Sequence, residues 1–226
     1  MNSKSFFQNF NQKIIHCDLC PRLSKWRNQI SKEKRKAFQN EPYWGKPLTG
    51  FGDLNAEIVI VGLAPAAHGA NRTGRVFTGD RSGEWLYRAL YLEGFSNQLQ
   101  SLSRKDDLKL KNAYVTMVVR CAPPKNKPTP KERDACLPYL IKEIQMLKKA
   151  KILIALGGFS LDGILLTLKN LDYGWKKKPK FGHGVEEKIG PYTILCSYHP
   201  SQQNTFTGRL TEEMFLRIFR RVKALV

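Results

Sequence analysis

The chain has 226 residues, and 38 Lys and Arg against 19 Asp and Glu give it a formal net charge of +19. This length suffices for one domain with a real hydrophobic core, so we expect residues 1–226 to form a single domain. No apolar run approaches the ~20 residues of a membrane span and the N-terminus has no signal-peptide pattern, so we expect a cytoplasmic protein without membrane contacts. Basic residues cluster at 32–36, 148–151 and 176–180, which predicts a polyanionic partner whose phosphates they contact.

Helical and strand-like segments alternate along the chain. The first 40 residues are predicted to be helical, and segment 171–190 is predicted to be an exposed loop. Four continuously apolar runs, typical of strands covered on both faces, lie at 56–64, 113–119, 151–157 and 192–199. Further helices are predicted at 82–95, 129–149, 159–169 and 210–226. This alternation predicts an α/β fold with a parallel sheet and helices on both faces.

Every unusual loop of the sequence follows one of the four predicted strands. Ligands bind beyond the carboxyl ends of the strands in sheets of this kind, so we expect the four loops to converge on one site. The first loop, "GLAPAAHG" from Gly62, is rich in small residues that let backbone N–H groups approach an anion or a polar base edge. It continues into a segment with Arg75, Phe77 and Asp80, a mixture that is unusual for a simple connection.

The last of these loops begins at His199, which Pro200 follows directly. A single histidine is most often structural or solvated, but this one stands at the carboxyl end of a predicted strand beside a polar loop. We therefore favour a functional role for it. The short polar side chains of "SQQN" suit contacts with phosphates or base edges.

Four of the five cysteines form two groups, Cys17 with Cys20 and Cys121 with Cys136. Four thiolates in two groups suit zinc or an iron–sulfur cluster, and the spacing does not separate these two. A disulfide framework is not expected in a chain without export signals. Cys196 lies inside the fourth predicted strand and is interpreted as a core residue.

Four segments together resemble the uracil-DNA glycosylase superfamily, and most closely its family 5, or type B, enzymes. They are "GLAPAAHGANRTGRVFTGDRSG", "VRCAPPKNKPTP", "LGGFS" and "HPSQQNTFTGRLT", and the resemblance covers nearly the whole chain. Family 4 relatives usually carry an acidic residue in the first motif, as "GEAPG", and many other members carry an Asp or Asn nearby that places a water molecule. This sequence has Ala64 there. Family 4 carries an Asn in the second-strand motif where this sequence has Met117. Both departures disagree with family 4 and agree with type B.

The resemblance implies a three-layer α/β/α sandwich around a four-stranded parallel sheet. It implies a [4Fe–4S] cluster held by Cys17, Cys20, Cys121 and Cys136. It also implies hydrolysis of the N-glycosidic bond of uracil, hypoxanthine or xanthine in DNA, without a lyase step, as the start of base excision repair. The implied partner is duplex DNA carrying damaged bases, with single-stranded DNA as a second form, and we expect a monomer. The sequence says nothing about a sliding clamp.

The resemblance also suggests roles for individual residues. His199 and Asp80 are the expected catalytic residues, although Asp80 is nearly as well explained as the cap of the helix that follows. The residues expected to bind the flipped base are Gly62, Leu63, Ala64, Ala66, His68, Asn71 and Phe77. Those expected to contact DNA are Ser201, Gln202, Gln203, Asn204 and Arg209, on a loop 199–209 that would enter the duplex.

Two alternatives stay open at this point. The first is a non-catalytic DNA-binding protein in which the cluster only stabilises the fold, favoured by the missing acid in the first loop. The second is a flavodoxin-like enzyme acting on small nucleotides, which the high positive charge and the absence of a phosphate-loop Lys disfavour.

Overall fold

A computed structural model of the chain describes residues 3–226, and its centre is one six-stranded sheet. The strand order is β1-β3-β2-β4-β6-β5. The strands are β1 (Phe51–Gly52), β2 (Ile58–Gly62), β3 (Ala113–Met117), β4 (Ile152–Leu156), β5 (Glu186–Ile189) and β6 (Tyr192–Ser197). The four predicted strands are therefore confirmed, and they run parallel to one another at the centre of the sheet.

Two short antiparallel strands extend the sheet at its edges. β1 pairs with β3, and β5 pairs with β6. The prediction of a loop throughout 171–190 was wrong for residues 186–189, which form β5. Three of the four residues of β5 are exposed, so this strand lacks the apolar pattern that identifies a buried strand.

The helices cover both faces of the sheet, which confirms the three-layer α/β/α architecture. They are α1 (Ser3–Ile15), α2 (Pro21–Glu33), α3 (Ala70–Thr73), α4 (Arg81–Leu92), α5 (Pro130–Met146), α6 (Gly158–Asn170), α7 (Gln202–Phe206) and α8 (Glu212–Lys223). One core cluster joins α4 and α8 to one face of the sheet. A second cluster joins α5, α6 and residues of α1 and α2 to the other face.

The long helices begin where the sequence predicts. Thr129 caps α5 with a full capping box that includes Glu132, and Thr211 caps α8 through the N–H of Met214. Within the described residues no helix is both long and apolar enough to cross a membrane. The first 40 residues are mostly helical as predicted, although α1 and α2 are separated by a turn that carries Cys17 and Cys20, and residues 1 and 2 lie outside the described part.

Candidate active site and four-cysteine centre

The floor of the candidate site is the ring of Phe77, which lies against the carboxyl end of β2. A Cβ atom added at Gly62 would lie 2.6 Å from Cε2 and Cζ of Phe77. The Phe77 ring also neighbours His199, with 5.8 Å between the two ring centroids and 31° between their planes. The structure thus brings together three residues that the sequence predicts for the site, from the first loop and the last.

The backbone of Phe77 adopts a left-handed conformation with a φ of 50°. This conformation costs energy in a residue with a Cβ atom and is found mostly where surrounding contacts enforce it. Gly83 in the first turn of α4 supplies such a contact, because any Cβ there would overlap the carbonyl group of Phe77. Gly83 is not predictable as a site residue, since a Gly after a predicted helix start carries no sign of which group approaches it.

The first loop presents unused backbone donors at the carboxyl end of β2. Among the described residues, the N–H groups of Ala64, Ala66, Ala67 and His68 donate to no protein acceptor. The loop is nevertheless fixed, because the carbonyl of Ala66 accepts the N–H groups of Gly69 (3.3 Å) and Asn71 (3.1 Å). Successive free N–H groups on a rigid loop form a concavity that binds anions.

Two polar side chains predicted to bind the base are held by protein contacts. Nδ1 of His68 lies 3.0 Å from the hydroxyl of Tyr43, and burial lowers the pKa of His68. The side chain of Asn71 is buried, and its Nδ2 donates to the carbonyl of Ala67 at 3.3 Å. Both side chains support the loop 62–71, and the segment before β1 packs against it.

Asp80 combines a structural contact with a position beside the first loop. Its Oδ1 accepts the N–H of Gly83 at 3.0 Å, so Asp80 is the N-cap of α4. Its Oδ2 faces Gly69 so closely that a Cβ atom there would overlap it. Burial raises the pKa of Asp80, and the N–H groups of Gly83 and Ser82 oppose that rise. The cap interpretation is confirmed, and the second oxygen points toward the loop of free N–H groups.

His199 lies two residues beyond the end of β6 and is partly buried. Burial lowers the pKa of His199 to about 4, so its imidazole is neutral at pH 7. Its carbonyl accepts Nδ2 of Asn204 at 2.9 Å, while its ring nitrogens bond no group in the described part of the chain. The ring is therefore oriented by its neighbours and has both nitrogens available to a ligand.

The loop after His199 contains the short helix α7, which the sequence does not predict. Ser201 caps α7 by accepting the N–H of Asn204, and Gln202 and Gln203 are exposed. The guanidinium of Arg209 lies 4.7 Å above the ring of Tyr198. Of the residues predicted to contact DNA, Ser201 and Asn204 thus hold the loop and the other three face solvent.

Phe206 at the end of α7 is the most exposed aromatic side chain described, with 68% of its surface accessible. The guanidinium of Arg81 lies 4.4 Å from its ring, and Nε of Arg81 donates to Thr205 at 3.0 Å. Because Arg81 directly follows the cap residue Asp80, it links α7 to the start of α4. Phe206 is not predictable as a site residue, because the exposure of a single aromatic residue in a polar loop leaves no pattern in the sequence.

The two departures from the wider superfamily pattern lie at the ends of adjacent strands. Met117 ends β3, pairs with Gly62 in the parallel register and is buried. Ala64 follows two residues after Gly62. This part of the floor is therefore apolar, and polar recognition there falls to backbone groups.

Cys17, Cys20, Cys121 and Cys136 line one small cavity between α2, the end of β3 and α5. Burial raises the pKa of three of these thiols. The pKa of Cys20 is raised, that of Cys121 rises to about 12, and that of Cys136 rises to about 11. Among the described residues no three Cys, His, Asp or Glu side chains converge closely enough to bind a single metal ion. Cys196, by contrast, is buried in β6, as expected of a core residue.

Two buried arginines with unused donors flank this cavity. Nε of Arg27 and Nε of Arg120 are buried, and neither has a partner in the described structure. The backbone N–H of Arg120 donates to Sγ of Cys136 at 3.3 Å. The guanidinium of Arg120 also forms a buried ion pair with Glu143. The charge of Arg27 lowers the pKa of Cys121, and that of Arg120 lowers the pKa of Cys136. Burial outweighs both charges, so the pKa of each thiol stays raised, and the two arginines partly offset that rise.

The basic clusters lie at different ends of the sheet. Arg35, in the cluster 32–36, donates its N–H to the hydroxyl of Tyr43, which contacts His68 of the first loop. The cluster 148–151 joins the end of α5 to the start of β4, so it lies at the amino ends of the strands. The cluster 148–151 therefore lies at the opposite end of the sheet from the candidate site, and its contact with nucleic acid stays a prediction.

Comparison with known proteins identifies relatives along most of the chain. The family described as the uracil DNA glycosylase superfamily matches residues 49–223. The type-5 uracil-DNA glycosylase of Thermus thermophilus is 47% identical over 218 residues, covering 96% of each chain. The type-5 enzyme of Pyrobaculum aerophilum is 38% identical, covering 98% of this chain and 94% of its own. The type-4 enzyme of the same organism is 33% identical, covering 86% of this chain and 82% of its own.

Proposed function

Because the chain belongs to the uracil-DNA glycosylase superfamily, and within it to the type-5 group, we propose that it is a DNA glycosylase that removes uracil from DNA. The observation that carries the proposal is the convergence of three features on one site. These are the free N–H groups of the first loop, the Phe77 ring over Gly62 and the neutral His199 beside that ring. Excision of the base begins base excision repair, and no lyase step follows.

The target base must leave the helical stack before it can reach this site. In our proposal the loop 199–209 enters the duplex from His199 onward, with Phe206 foremost. The extruded base then stacks on Phe77, a contact worth about 1–3 kcal/mol for any base. The cluster 32–36 and Arg209 bind phosphates beside the site. Extrusion costs least at a mismatch such as U·G, which favours excision there.

Cleavage of the bond between the base and C1′ leaves the electron pair on the base and positive charge on the sugar. The backbone N–H groups of Ala64, Ala66, Ala67 and His68 stabilise the departing anion. Neutral His199 donates a further hydrogen bond to it. A water oxygen bonds to C1′ from the opposite face. Asp80 orients this water through Oδ2 and accepts its proton, which the raised pKa of its carboxyl favours.

We also propose that the enzyme accepts the deaminated purines hypoxanthine and xanthine. The floor formed by Phe77 and Met117 is apolar and offers stacking, which does not distinguish one base from another. Backbone N–H groups bind any electron-rich base edge. An asparagine in place of Met117 would instead require one hydrogen-bond pattern of the bound base.

The four cysteines fit a [4Fe–4S] cluster. A cluster spreads its thiolates over separate iron atoms, whereas one zinc ion needs all four sulfurs within about 2.3 Å of its centre. All four cysteines line one cavity, which supports a centre that they share. The unpartnered Nε groups of Arg27 and Arg120 suit the negative charge of such a centre. A bound cluster would supply cross-links between α2, the end of β3 and α5, and we assign it a structural role.

The proposal has three further parts. Residues 1–226 form one glycosylase domain, the protein acts as a monomer, and its substrate is damaged duplex DNA, with single-stranded DNA as a second form. Phe206 exposed at the end of α7 fits a duplex substrate, because a protruding ring is needed only where a stack must be opened.

Single-turnover assays on labelled duplexes test the activity. Duplexes carrying U·G, hypoxanthine·T or xanthine·C should yield abasic sites that alkali cleaves, and an undamaged duplex is the control. Salt-dependent binding of all duplexes without an abasic product would identify a non-catalytic DNA-binding protein and overturn the proposal.

Anaerobic purification followed by iron, sulfide and zinc analysis tests the cluster. We expect a coloured protein with four irons and four sulfides per chain, and loss of colour in Cys136→Ser. Cys196→Ser is the matched control, because Cys196 lies in β6 away from the cavity. A colourless protein containing one zinc would contradict the assignment.

A further inference from the structure

A groove of about 770 Å³ lies at the amino ends of the strands, on the edge of the sheet opposite the candidate active site. Its walls come from α1, the last turns of α5, the end of α6 and the start of β6. Pockets that hold ligands occupy about 300–1,000 Å³, so the groove can accommodate several side chains of a partner. No part of the proposed excision chemistry uses this surface.

Apolar side chains line the floor of the groove. Phe7 and Leu171 contribute to it, and Tyr173 and Tyr192 pack edge to face with ring centroids 5.7 Å apart. Phe6 stands at the rim with 43% of its surface exposed. An apolar surface of this kind in a soluble domain commonly marks a binding site.

The charge at the rim is positive and uncompensated. Lys142 and Lys148 line the groove, and no acidic side chain does so among the described residues. Neither lysine forms an ion pair within the described part, although Nζ of Lys142 lies 5.4 Å from the centroid of the Phe6 ring. Lys148 begins the basic cluster 148–151, which the proposed DNA contacts leave unexplained.

We propose that this groove binds an acidic peptide segment of a partner protein, with an apolar side chain of the peptide on the floor and its carboxylates at Lys142 and Lys148. A nucleic-acid strand fits less well, because it needs a cationic track along its phosphates and exposed faces for stacking. Here the cations occupy the rim alone, and the two tyrosine rings pack against each other. The peptide would leave the opposite edge of the sheet free for DNA.

Fluorescence anisotropy tests the proposal with a short fluorescein-labelled peptide in which acidic residues flank a Leu-Phe pair. The full-length protein should bind it, with an affinity that falls as salt rises. The double variant Lys142→Glu with Lys148→Glu should bind at least about tenfold more weakly, because like charges then meet. Phe6→Ser should also weaken binding through loss of an apolar contact. Uracil excision by the double variant reports that it is folded.

The matched control is Lys176→Glu with Lys177→Glu, which makes the same change of net charge at two exposed lysines that do not line the groove. This control should keep the affinity for the peptide. Equal losses in both double variants would show that only bulk charge attracts the peptide and would overturn the proposal. Displacement of the peptide by an oligothymidylate, or equal binding of a peptide with serines in place of its acidic residues, would overturn it as well.

Discussion

The imidazole of His199 lies beside the Phe77 ring, with a centroid distance of 5.8 Å and a plane angle of 31°. A flipped base stacked on Phe77 would therefore have its edge within reach of a neutral histidine. Removing a preorganised donor to a developing anion typically costs about 100-fold to 1,000-fold in rate. His199→Ala should lower single-turnover excision from U·G duplex by that range and leave DNA binding largely intact. Unchanged excision would remove His199 from the mechanism.

The depressed pKa of His199 also predicts a dependence of stability on pH. An unfolded histidine titrates near 6.5, whereas His199 in the fold titrates at about 4. Between these values the unfolded chain binds a proton that the native state does not, so native stability falls as pH decreases from about 6.5 to about 4. Urea unfolding in this window should show a weaker pH dependence for His199→Gln than for the wild type. If the two proteins showed the same dependence of stability on pH, the pKa of His199 would not be lowered by the fold.

The cap contact of Asp80 and its proposed role as proton acceptor can be separated by substitution. Asparagine and serine both cap helices well, so Asp80→Asn and Asp80→Ser should unfold at nearly the wild-type urea concentration. Neither accepts a proton from water, so excision should fall by about 100-fold or more in both. Asp80→Ala should lose about 1 kcal/mol of stability in addition, because the N–H of Gly83 then loses its side-chain acceptor and keeps only the backbone carbonyl of residue 80. Wild-type excision by Asp80→Asn would make Asp80 a cap alone.

The central architecture was predictable because its signals are local. The four parallel strands are continuous apolar runs buried on both faces, and Thr129 and Thr211 mark helix starts by their type. The edge strand β5 was not predictable, since "EEKI" has one buried residue and pairs on one side only. Edge pairing depends on the neighbouring strand rather than on the strand's own sequence.

The site was predictable in its members but not in their contacts. The sequence placed Gly62, Phe77 and His199 at one end of the sheet, where the structure has them. It also placed Arg75 in the same loop, yet the Arg75 side chain is buried against Asp106. A pair separated by 31 positions depends on the path of the chain, which no local pattern records.

Gly83 is expected to be intolerant of any side chain. A Cβ there would overlap the carbonyl of Phe77, and this carbonyl belongs to rigid backbone. Gly83→Ala should therefore destabilise the protein by about 1–3 kcal/mol in urea unfolding, as overpacking does elsewhere. It should also reduce excision, because Phe77 must move.

Gly158→Ala is the control for this prediction. It lies in the first turn of α6, and its added Cβ would approach Phe181 no closer than 3.7 Å. Alanine is the better helix former, so we expect Gly158→Ala to be neutral or mildly stabilising. Comparable losses in the two variants would contradict the special role of Gly83.

Phe206 should matter for duplex DNA and not for the stability of the fold. Its ring is 68% exposed, so Phe206→Ala removes little buried surface. If the ring replaces the extruded base in the stack, its loss should slow excision from matched U·A duplex by about tenfold or more. Excision from single-stranded DNA should be unaffected, because no stack has to be opened.

Phe6→Ala supplies the matched control for Phe206, since Phe6 is also an exposed phenylalanine but lies at the opposite edge of the sheet. It should leave excision from both substrates unchanged. If Phe206→Ala changed the excision rate on duplex DNA by the same factor as on single-stranded DNA, each relative to the wild type, another residue would open the stack.

The pair of Arg75 and Asp106 should anchor the first motif to the loop between α4 and β3. Both terminal guanidinium nitrogens of Arg75, Nη1 and Nη2, lie 2.6 Å from a carboxylate oxygen of Asp106. Burial alone would raise the pKa of Asp106, but Arg75 and the N–H groups of Leu102, Ser103 and Leu108 lower it to about 2. The stabilisation is therefore complete above about pH 4 and is lost as pH falls toward 2.

Asp106→Asn should cost about 3–5 kcal/mol of stability at pH 7, because it leaves Arg75 buried without its counter-charge. The cost should shrink as pH approaches 2, where the wild-type carboxyl also becomes neutral. Asp107→Asn, at the exposed neighbouring position, should change stability by no more than about 0.5 kcal/mol. Because Arg75 lies two residues before Phe77, Asp106→Asn should also slow excision in the surviving folded protein. A loss of stability that is the same at pH 7 and near pH 2 would show that packing, rather than the ion pair, holds the motif.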